Sequence, residues 1–351
     1  MDAVAGVAAA RLHAQLLDRP AGRPADVVER LLAVQGQDAR AFRLAIRSRT
    51  RGRTAAQVDA ALSDGTLLVT WLCRGTLHLV RAADYPWLHA LTAPRVAPAV
   101  ERRLAQLGIG PSTIDKGVAV IVEALADGPR GRDELRAELD AAGVPTAGQV
   151  LVHLLAAASL REFVVRGPVR AGVHLFVDAR RWLGSVDAPD RDTCLTLLGR
   201  RYLAGHGPAG PRDLAAYAGL TLGDARRALA LIAAETEPAG PDLVVLTGSP
   251  EPAELPPPRL LGMFDPVLHG WSDRTFVTGE HRDVVTSNGM FHATALVDGR
   301  VAGTWSLPGG VVTVTPLRPL NRRVRAALEA EAADVLRFLG LPDRPPVVPA
   351  T

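Results

Sequence analysis

The sequence is poor in lysine and cysteine. Arginine provides 39 of its 40 basic residues, and Lys116 is the single lysine. Arginine can bind a phosphate through a planar fork of donors, but it cannot serve as an amine nucleophile. The basic side chains are therefore suited to binding anions and, with one exception, unsuited to amine catalysis.

The two cysteines, Cys73 and Cys194, lie far apart and form no CxxC or Cys/His spacing. A thiolate zinc site is not indicated, and a reducing compartment fits this usage. The nine histidines show no paired metal-ligand spacing, and no Gly-rich phosphate loop is present, so we predict neither a metal nor another cofactor. The first residues lack a basic n-region and no apolar run approaches membrane-spanning length, so we predict a cytoplasmic protein.

The chain has 351 residues, of which 48% are apolar and 22% charged, and its formal net charge is only +3. This length allows two or three domains, and the composition is that of a globular protein. Because the bulk charge is small, a site for a polyanion has to come from local clustering of charge.

The clearest cluster follows a pair of glutamines in "LLAVQGQDARAFRLAIRSRTRGRT", residues 31–54. Gln35 and Gln37 flank a glycine, and no acid occurs from Ala39 until Asp59. An arginine run without compensating acids suits the neutralisation of phosphates, although a solvated helix face in an arginine-rich protein is the alternative. The DNA-contact candidates in this run are Arg40, Arg43, Arg47, Arg49, Arg51 and Arg53.

Hydrophobic spacing and turn residues predict the fold. Helices are predicted over 4–17, 24–35 and 54–63, followed by a hairpin of "TLLVTWL" and "GTLHLVR" joined at Cys73–Gly75. Two later segments, 111–190 and 191–250, repeat an order of helix, short helix, longer helix and β pair. This is the order of a winged-helix unit, which binds duplex DNA with a helix in a groove.

We therefore predict an α+β fold with three tandem winged-helix units over 1–110, 111–190 and 191–250. Period-two segments in 251–351 predict a C-terminal antiparallel β domain, as a meander or small barrel. Its hairpins would turn at Asn288-Gly289 and Asp298-Gly299. A terminal helix over 321–339 completes the prediction.

Four segments, taken in order, resemble the winged-helix DNA glycosylase family typified by the azinomycin-resistance enzyme, the AlkZ-like family. They are "LLAVQGQDARAFRLAIRSR", "RGTLHLVRAADYPWL", "LLGMFDPVLHGWSDR" and "LVDGRVAGTWS". The resemblance implies tandem winged helices around a positively charged channel. It also implies excision of alkylated purines, including N7-alkylguanine and N3-alkyladenine, with bulky natural-product adducts or interstrand crosslinks as further substrates in genotoxin self-resistance. The Gln-x-Gln motif, here Gln35-Gly36-Gln37, is implied to be catalytic.

The chemistry fits two neutral amides. An alkylated purine carries positive charge and departs without strong acid help, so the enzyme has to orient a water toward C1′ of the sugar. Asp38 is either an assisting carboxylate or a helix cap or salt-bridge partner. From spacing alone, the two glutamines are also compatible with polar residues that end a helix.

Other candidates come from the hairpins and the linker. Arg74 and His78 in the first hairpin are candidate DNA contacts, and His78 is alternatively a strand residue satisfied by its neighbours. Asp265 and His269 in "FDPVLHG" are candidate pocket residues, with a plain turn at Asp265-Pro266 as the alternative. Met290 and Phe291 form a candidate wedge for the minor groove, with core packing as the alternative for Phe291.

The activity predicted from these residues is a monofunctional DNA glycosylase, because Lys116 is the only side-chain amine for a Schiff base. The predicted partner is double-stranded DNA with alkylated purines. No protein partner is implied, and we expect a nucleoid-associated monomer. Two other functions share the basic surface: a non-enzymatic winged-helix regulator and a lesion sensor that binds adducts without turnover.

Overall fold

The computed structural model describes residues 3–184, 187–250, 254–286 and 289–349. The helices within these residues are α1 (Ala3–Ala14), α2 (Pro24–Leu31), α3 (Ala39–Arg47), α4 (Ala55–Ser63), α5 (Tyr85–Gln106), α6 (Pro111–Ala124), α7 (Arg132–Ala141), α8 (Val150–Glu162), α9 (Ala179–Leu183), α10 (Arg191–His206), α11 (Pro211–Ala218), α12 (Leu222–Leu231), α13 (Pro266–His269), α14 (Thr275–Thr278) and α15 (Arg322–Leu339).

The strands are β1 (Val34–Gln35), β2 (Leu67–Leu72), β3 (Thr76–Arg81), β4 (Val164–Arg170), β5 (Val173–Asp178), β6 (Thr236–Gly240), β7 (Leu243–Leu246), β8 (Arg259–Leu261), β9 (Thr294–Val297), β10 (Arg300–Ser306) and β11 (Thr313–Pro316). The predicted mixture of helices with antiparallel sheets is confirmed. No described helix is both long and apolar enough to cross a membrane.

The chain divides into two compact units. The first unit comprises Met1–Val58, Thr196–Tyr217 and Thr221–Thr351, and the second comprises Asp59–Leu195 and Ala218–Leu220. Each unit is assembled from separated parts of the chain, so its core depends on contacts that are distant in sequence.

The second unit contains antiparallel strands in the order β3-β2-β4-β5. The predicted hairpin of β2 and β3 is confirmed, with Leu72 opposite Thr76 and Leu67 opposite Arg81. Every residue of β2 is buried, which explains why apolar residues predominate in this strand and do not alternate with exposed polar ones. Helices α6, α7 and α8 precede the β4–β5 pair in the predicted order, and α8 packs against α5 and α6.

The same order recurs along the chain in α10, α11 and α12, followed by the β6–β7 hairpin. The β pair predicted after the longer helix is formed by β6 and β7. Helix α12 ends at Leu231 and is followed by a short 3-10 turn.

The C-terminal part of the first unit is a four-stranded antiparallel sheet in the order β11-β10-β9-β8. Its hairpin at Asp298-Gly299 is confirmed by the pairing of Val297 with Arg300. Helix α15, whose N-cap Asn321 accepts a hydrogen bond from the Val324 amide, packs on this sheet. The shared core of sheet and helix includes Leu44 of α3, Trp305, Leu328 and Leu336.

Of the two predicted forms of the C-terminal sheet, the meander is confirmed: within the described residues the sheet is open, with β11 and β8 at its two edges. One detail of the prediction is wrong. The helix predicted over 24–35 ends at Leu31, because Leu32 adopts a positive φ of 67°. The other predicted turn, at Asn288-Gly289, lies partly outside the described residues, and Val285 pairs with Phe291 across it.

Candidate active site

The glutamine motif lies where β1 meets α3 in the first unit. Gln35 is the second residue of β1 and is buried, with 7% of its surface exposed, whereas Gln37 is exposed. The Gln35 Nε2 donates to Oε1 of Gln37 over 2.9 Å. The two amides therefore form one hydrogen-bonded unit, in which one member is held by the protein and the other faces solvent.

Asp38 is the N-cap of α3. Its Oδ1 accepts a hydrogen bond from the Ala41 amide at 2.7 Å, in the extended backbone conformation typical of a cap. The predicted alternative, that Asp38 is a cap, is thus confirmed. Capping fixes the first turn of α3 immediately after Gln37.

The far end of α3 is anchored by Arg47, whose exposed fraction is 2%. Its guanidinium donates to Oε2 of Glu331 at 2.7 Å and to Oδ2 of Asp334 at 3.1 Å, both on α15. It also donates to the Leu260 carbonyl at 2.7 Å. The prediction that Arg47 contacts DNA is wrong, because internal acceptors enclose its guanidinium.

Arg49 is wholly buried and forms a bidentate ion pair with Asp265, at 2.7 and 2.9 Å. The same guanidinium donates to the carbonyl and the side chain of Gln15. Asp265 also caps α13 by accepting from the Val267 amide. Arg49 is therefore not a DNA contact, and Asp265 is a buried structural partner and not a pocket residue.

The remaining basic candidates differ in exposure. Arg40, Arg51 and Arg74 are exposed. Arg43 is 8% exposed and lies over the Phe42 ring, and Arg53 is partly exposed and donates to the Gly22 carbonyl. His78 is not a surface residue. It is buried in β3, its Nδ1 lies 2.9 Å from the Thr76 carbonyl oxygen, and burial lowers its pKa to about 3.

An aromatic group surrounds His269 in the first unit. The ring centroids of His269 and Phe291 are 3.8 Å apart, and Phe264 lies 5.9 Å from each of them. Phe291 is 7% exposed, so its prediction as a wedge is wrong and the core-packing alternative holds. Met290 beside it is 43% exposed.

Tyr217, which no sequence pattern indicates as functional, contacts the segment that leads into β1. Its hydroxyl accepts from the Ala33 amide at 3.0 Å and lies 2.9 Å from the Leu31 carbonyl oxygen, to which it donates. No motif links residue 217 to the glutamines, so local spacing could not have found it. Among the described residues, no group of three His, Cys, Asp or Glu side chains is arranged to hold a metal ion.

Comparisons with known proteins agree on one family. A family model described as "DNA glycosylase AlkZ-like" matches residues 28–338. An interstrand DNA cross-link repair glycosylase of Streptomyces sahachiroi is 28% identical to this chain, over 94% of the chain and 95% of that protein. The solved structure of the Streptomyces sahachiroi DNA glycosylase AlkZ matches with a TM-score of 0.77 and 26% identity, over 98% of each chain.

The fold and the matched motifs therefore define a DNA glycosylase, an enzyme that acts on DNA. Within that class, the chain belongs to the AlkZ-like DNA glycosylase family. The resemblance seen in the sequence is confirmed.

Proposed function

We propose that this enzyme hydrolyses the N-glycosidic bond of alkylated purines in duplex DNA, with Gln35 and Gln37 holding the attacking water. The observation that carries the proposal is the 2.9 Å hydrogen bond from Gln35 Nε2 to Gln37 Oε1. An amide oxygen has two lone pairs, so Gln37 Oε1 can accept from Gln35 and from a water at once. The buried member would thus orient the exposed one.

The reaction needs orientation more than basicity. Alkylation at N7 or N3 places positive charge on the purine, so cleavage of the bond to C1′ releases a neutral base. The sugar left behind has oxocarbenium character, which water captures as it loses a proton. A neutral amide pair that fixes the water against C1′ lowers the entropic part of the barrier. Gln37, being exposed, is the member that a substrate can reach.

The architecture suits a DNA duplex. The order of three helices and a hairpin occurs twice, in α6–β5 and in α10–β7, and we assign both, together with the N-terminal part, to winged-helix units that grip the duplex. Arg40, Arg51 and Arg74 are exposed and are the arginine contacts that we propose for phosphates.

The substrate range that we propose includes N7-alkylguanine, N3-alkyladenine and interstrand crosslinks. The Streptomyces sahachiroi relative is named an interstrand DNA cross-link repair glycosylase, which supports the extension to crosslinks. A crosslink joined through purine N7 has the same cationic leaving group as a simple adduct. Self-resistance to a genotoxin produced in the same cell is a role consistent with that chemistry.

The test is release of free base from duplex DNA that contains N7-methylguanine, under single-turnover conditions. The wild-type enzyme should release the base, whereas Gln35→Ala and Gln37→Ala should each lose roughly a hundredfold in rate and retain DNA affinity. Gln106→Ala is the matched control, because Gln106 is an exposed amide on α5 that bonds to Arg103. Its rate should equal that of the wild type.

The other candidate functions give different results in this assay. A regulator would bind intact DNA in a sequence-selective way and release no base. A lesion sensor would bind the modified duplex preferentially, again without release. Full activity in both glutamine variants would refute the water-positioning role.

A further inference from the structure

A strained turn separates α2 from the glutamine motif. Leu32 has φ 67° and ψ −59°, and the Ala33 amide donates to the Leu31 carbonyl at 2.9 Å. This geometry is a γ-turn of the rare, strained kind. A leucine in this backbone region is unfavourable because its Cβ crowds the main chain. Such strain persists only where surrounding contacts hold it.

The sequence itself favours a different conformation here. Apolar residues continue at helical spacing from Pro24 through Val34, so continuation of α2 is the competing local structure. A longer helix would remove the γ-turn and would rotate Gln35, which lies two residues after Ala33. The position of the Gln35 amide therefore depends on keeping the helix interrupted.

Tyr217 supplies the contacts that hold this turn. Its hydroxyl accepts from the Ala33 amide at 3.0 Å and donates to the Leu31 carbonyl at 2.9 Å, with the Ala33 carbonyl at 3.2 Å. One side-chain oxygen thus satisfies backbone groups on both sides of Leu32. A helix that continued past Leu31 would place these backbone groups elsewhere and leave the buried hydroxyl without them.

The hydroxyl is a fixed point because the Tyr217 ring is enclosed. Tyr217 is 4% exposed. Its ring lies 5.0 Å from that of Tyr202 and 4.6 Å from that of His206. Trp271 donates from Nε1 to the His206 carbonyl at 2.9 Å. Tyr217, Tyr202, His206 and Trp271 thus form one packed aromatic group. This group cannot move with the turn if the turn relaxes.

We propose that Tyr217 is a positioning residue for base excision. Its hydroxyl holds the strained γ-turn at Leu32, so that Gln35 enters β1 in the register that brings its amide to Gln37. The inference rests on the proposed role of the two glutamines. In addition, the geometry of the two glutamines is set by a residue that lies 184 positions from Ala33 in the sequence.

Tyr217→Phe is the direct test, since it keeps the ring and removes only the hydroxyl. We expect a fall of roughly tenfold to a hundredfold in the single-turnover rate of base release, with an unchanged dissociation constant for the modified duplex. Hydrogen exchange at the backbone of residues 31–35 should become faster. This second measurement reports on the turn even where the variant loses thermal stability.

Tyr202→Phe is the matched control. Tyr202 belongs to the same aromatic group and also donates from its hydroxyl to a backbone carbonyl, that of Gly270, at 2.8 Å. Its removal should lower the melting temperature by a similar amount, while the rate stays within about twofold of the wild type and exchange at residues 31–35 stays unchanged. Equal rate losses in the two variants would overturn the proposal.

A double variant separates positioning from general destabilisation. In a Gln35→Ala background, Tyr217→Phe should change the rate by less than about twofold, because the side chain that it positions is already gone. If the rate losses of Gln35→Ala and Tyr217→Phe multiplied in the double variant, the positioning role would be overturned. If Gln35→Ala alone kept the full rate, the proposed function itself would fail, which is a distinct outcome from a Tyr217→Phe enzyme that remains fully active.

Discussion

Arg49 and Asp265 form a bidentate ion pair in which neither side chain has any exposed surface. The pair joins the residues after α3 to the start of α13, and Gln15 completes the set of acceptors around Arg49. A buried pair of this kind is held in place by its full set of hydrogen bonds, and the loss of one partner leaves an uncompensated charge in the interior. It therefore fixes the segment that follows α3.

We expect Asp265→Asn to lower the free energy of unfolding by about 3–5 kcal/mol, because Arg49 would keep its charge without a carboxylate. Urea denaturation followed by circular dichroism measures this loss. Glu235→Gln, which breaks the exposed pair with Arg200, should leave the denaturation midpoint nearly unchanged. Equal midpoints for the wild type and Asp265→Asn would contradict the structural role.

Asp38 should act through its cap and not through its charge. Asparagine caps a helix as well as aspartate does. Asp38→Asn should therefore leave the free energy of unfolding nearly unchanged and keep the rate of base release within a few fold of the wild type. Asp38→Ala should lose about 1 kcal/mol of stability through the missing cap. Single-turnover rates of base release by Asp38→Asn and Asp38→Ala test this prediction. A hundredfold loss in Asp38→Asn would identify the carboxylate as a participant in the reaction.

Exposed arginines should govern the salt dependence of DNA binding. Arg40→Gln and Arg51→Gln should each weaken binding to duplexes of any sequence and reduce the slope of log affinity against log salt by about 1. Fluorescence anisotropy at several salt concentrations gives this slope. Arg344→Gln removes an exposed arginine outside the arginine-rich segment and should leave the slope unchanged.

His206 should make the protein less stable in mild acid. Burial lowers its pKa to about 3, so between pH 6.5 and 3 the unfolded chain binds a proton that the folded protein excludes. Stability falls with decreasing pH in this window, by about 1.4 kcal/mol per pH unit from this residue. His206→Gln should therefore show a weaker drop in melting temperature from pH 7.5 to pH 5.0 than the wild type. Equal drops in melting temperature for the wild type and His206→Gln would contradict the proposed contribution of His206.

Borohydride should trap no covalent complex between the enzyme and damaged DNA. Lys116 is the only lysine and is exposed on α6. Water attack leaves an intact abasic site, and gel analysis of the products should show no strand cleavage. A trapped adduct would show that an amine takes part in the reaction.

Local features of the sequence were sufficient for much of the fold. The Asp298-Gly299 turn predicted the β9–β10 hairpin, and Asn321 marked the start of α15. The glutamine pair was proposed as the catalytic pair from its position beside a run of arginines together with the family resemblance. These features act over a few residues, and so they can be recognised without the tertiary structure.

The exposure of the arginines could not be predicted in this way. The lack of nearby acids suggested a solvent-facing positive surface, yet the partners of Arg47 and Arg49 come from far along the chain. Asp265 lies 216 residues from Arg49, and Asp334 lies 287 residues from Arg47. The end of α2 was missed for the same reason, since Tyr217 is 186 residues from Leu31.

The partners of Arg47 on α15 are synthesised long after the two glutamines. A nascent chain stopped before α15 already contains both glutamines, but it lacks Glu331 and Asp334, which enclose the guanidinium at the end of α3. Until α15 has been synthesised, the end of α3 therefore lacks these two carboxylate partners. We therefore expect the segment that carries the glutamines to reach its final packing only after α15 has left the ribosome.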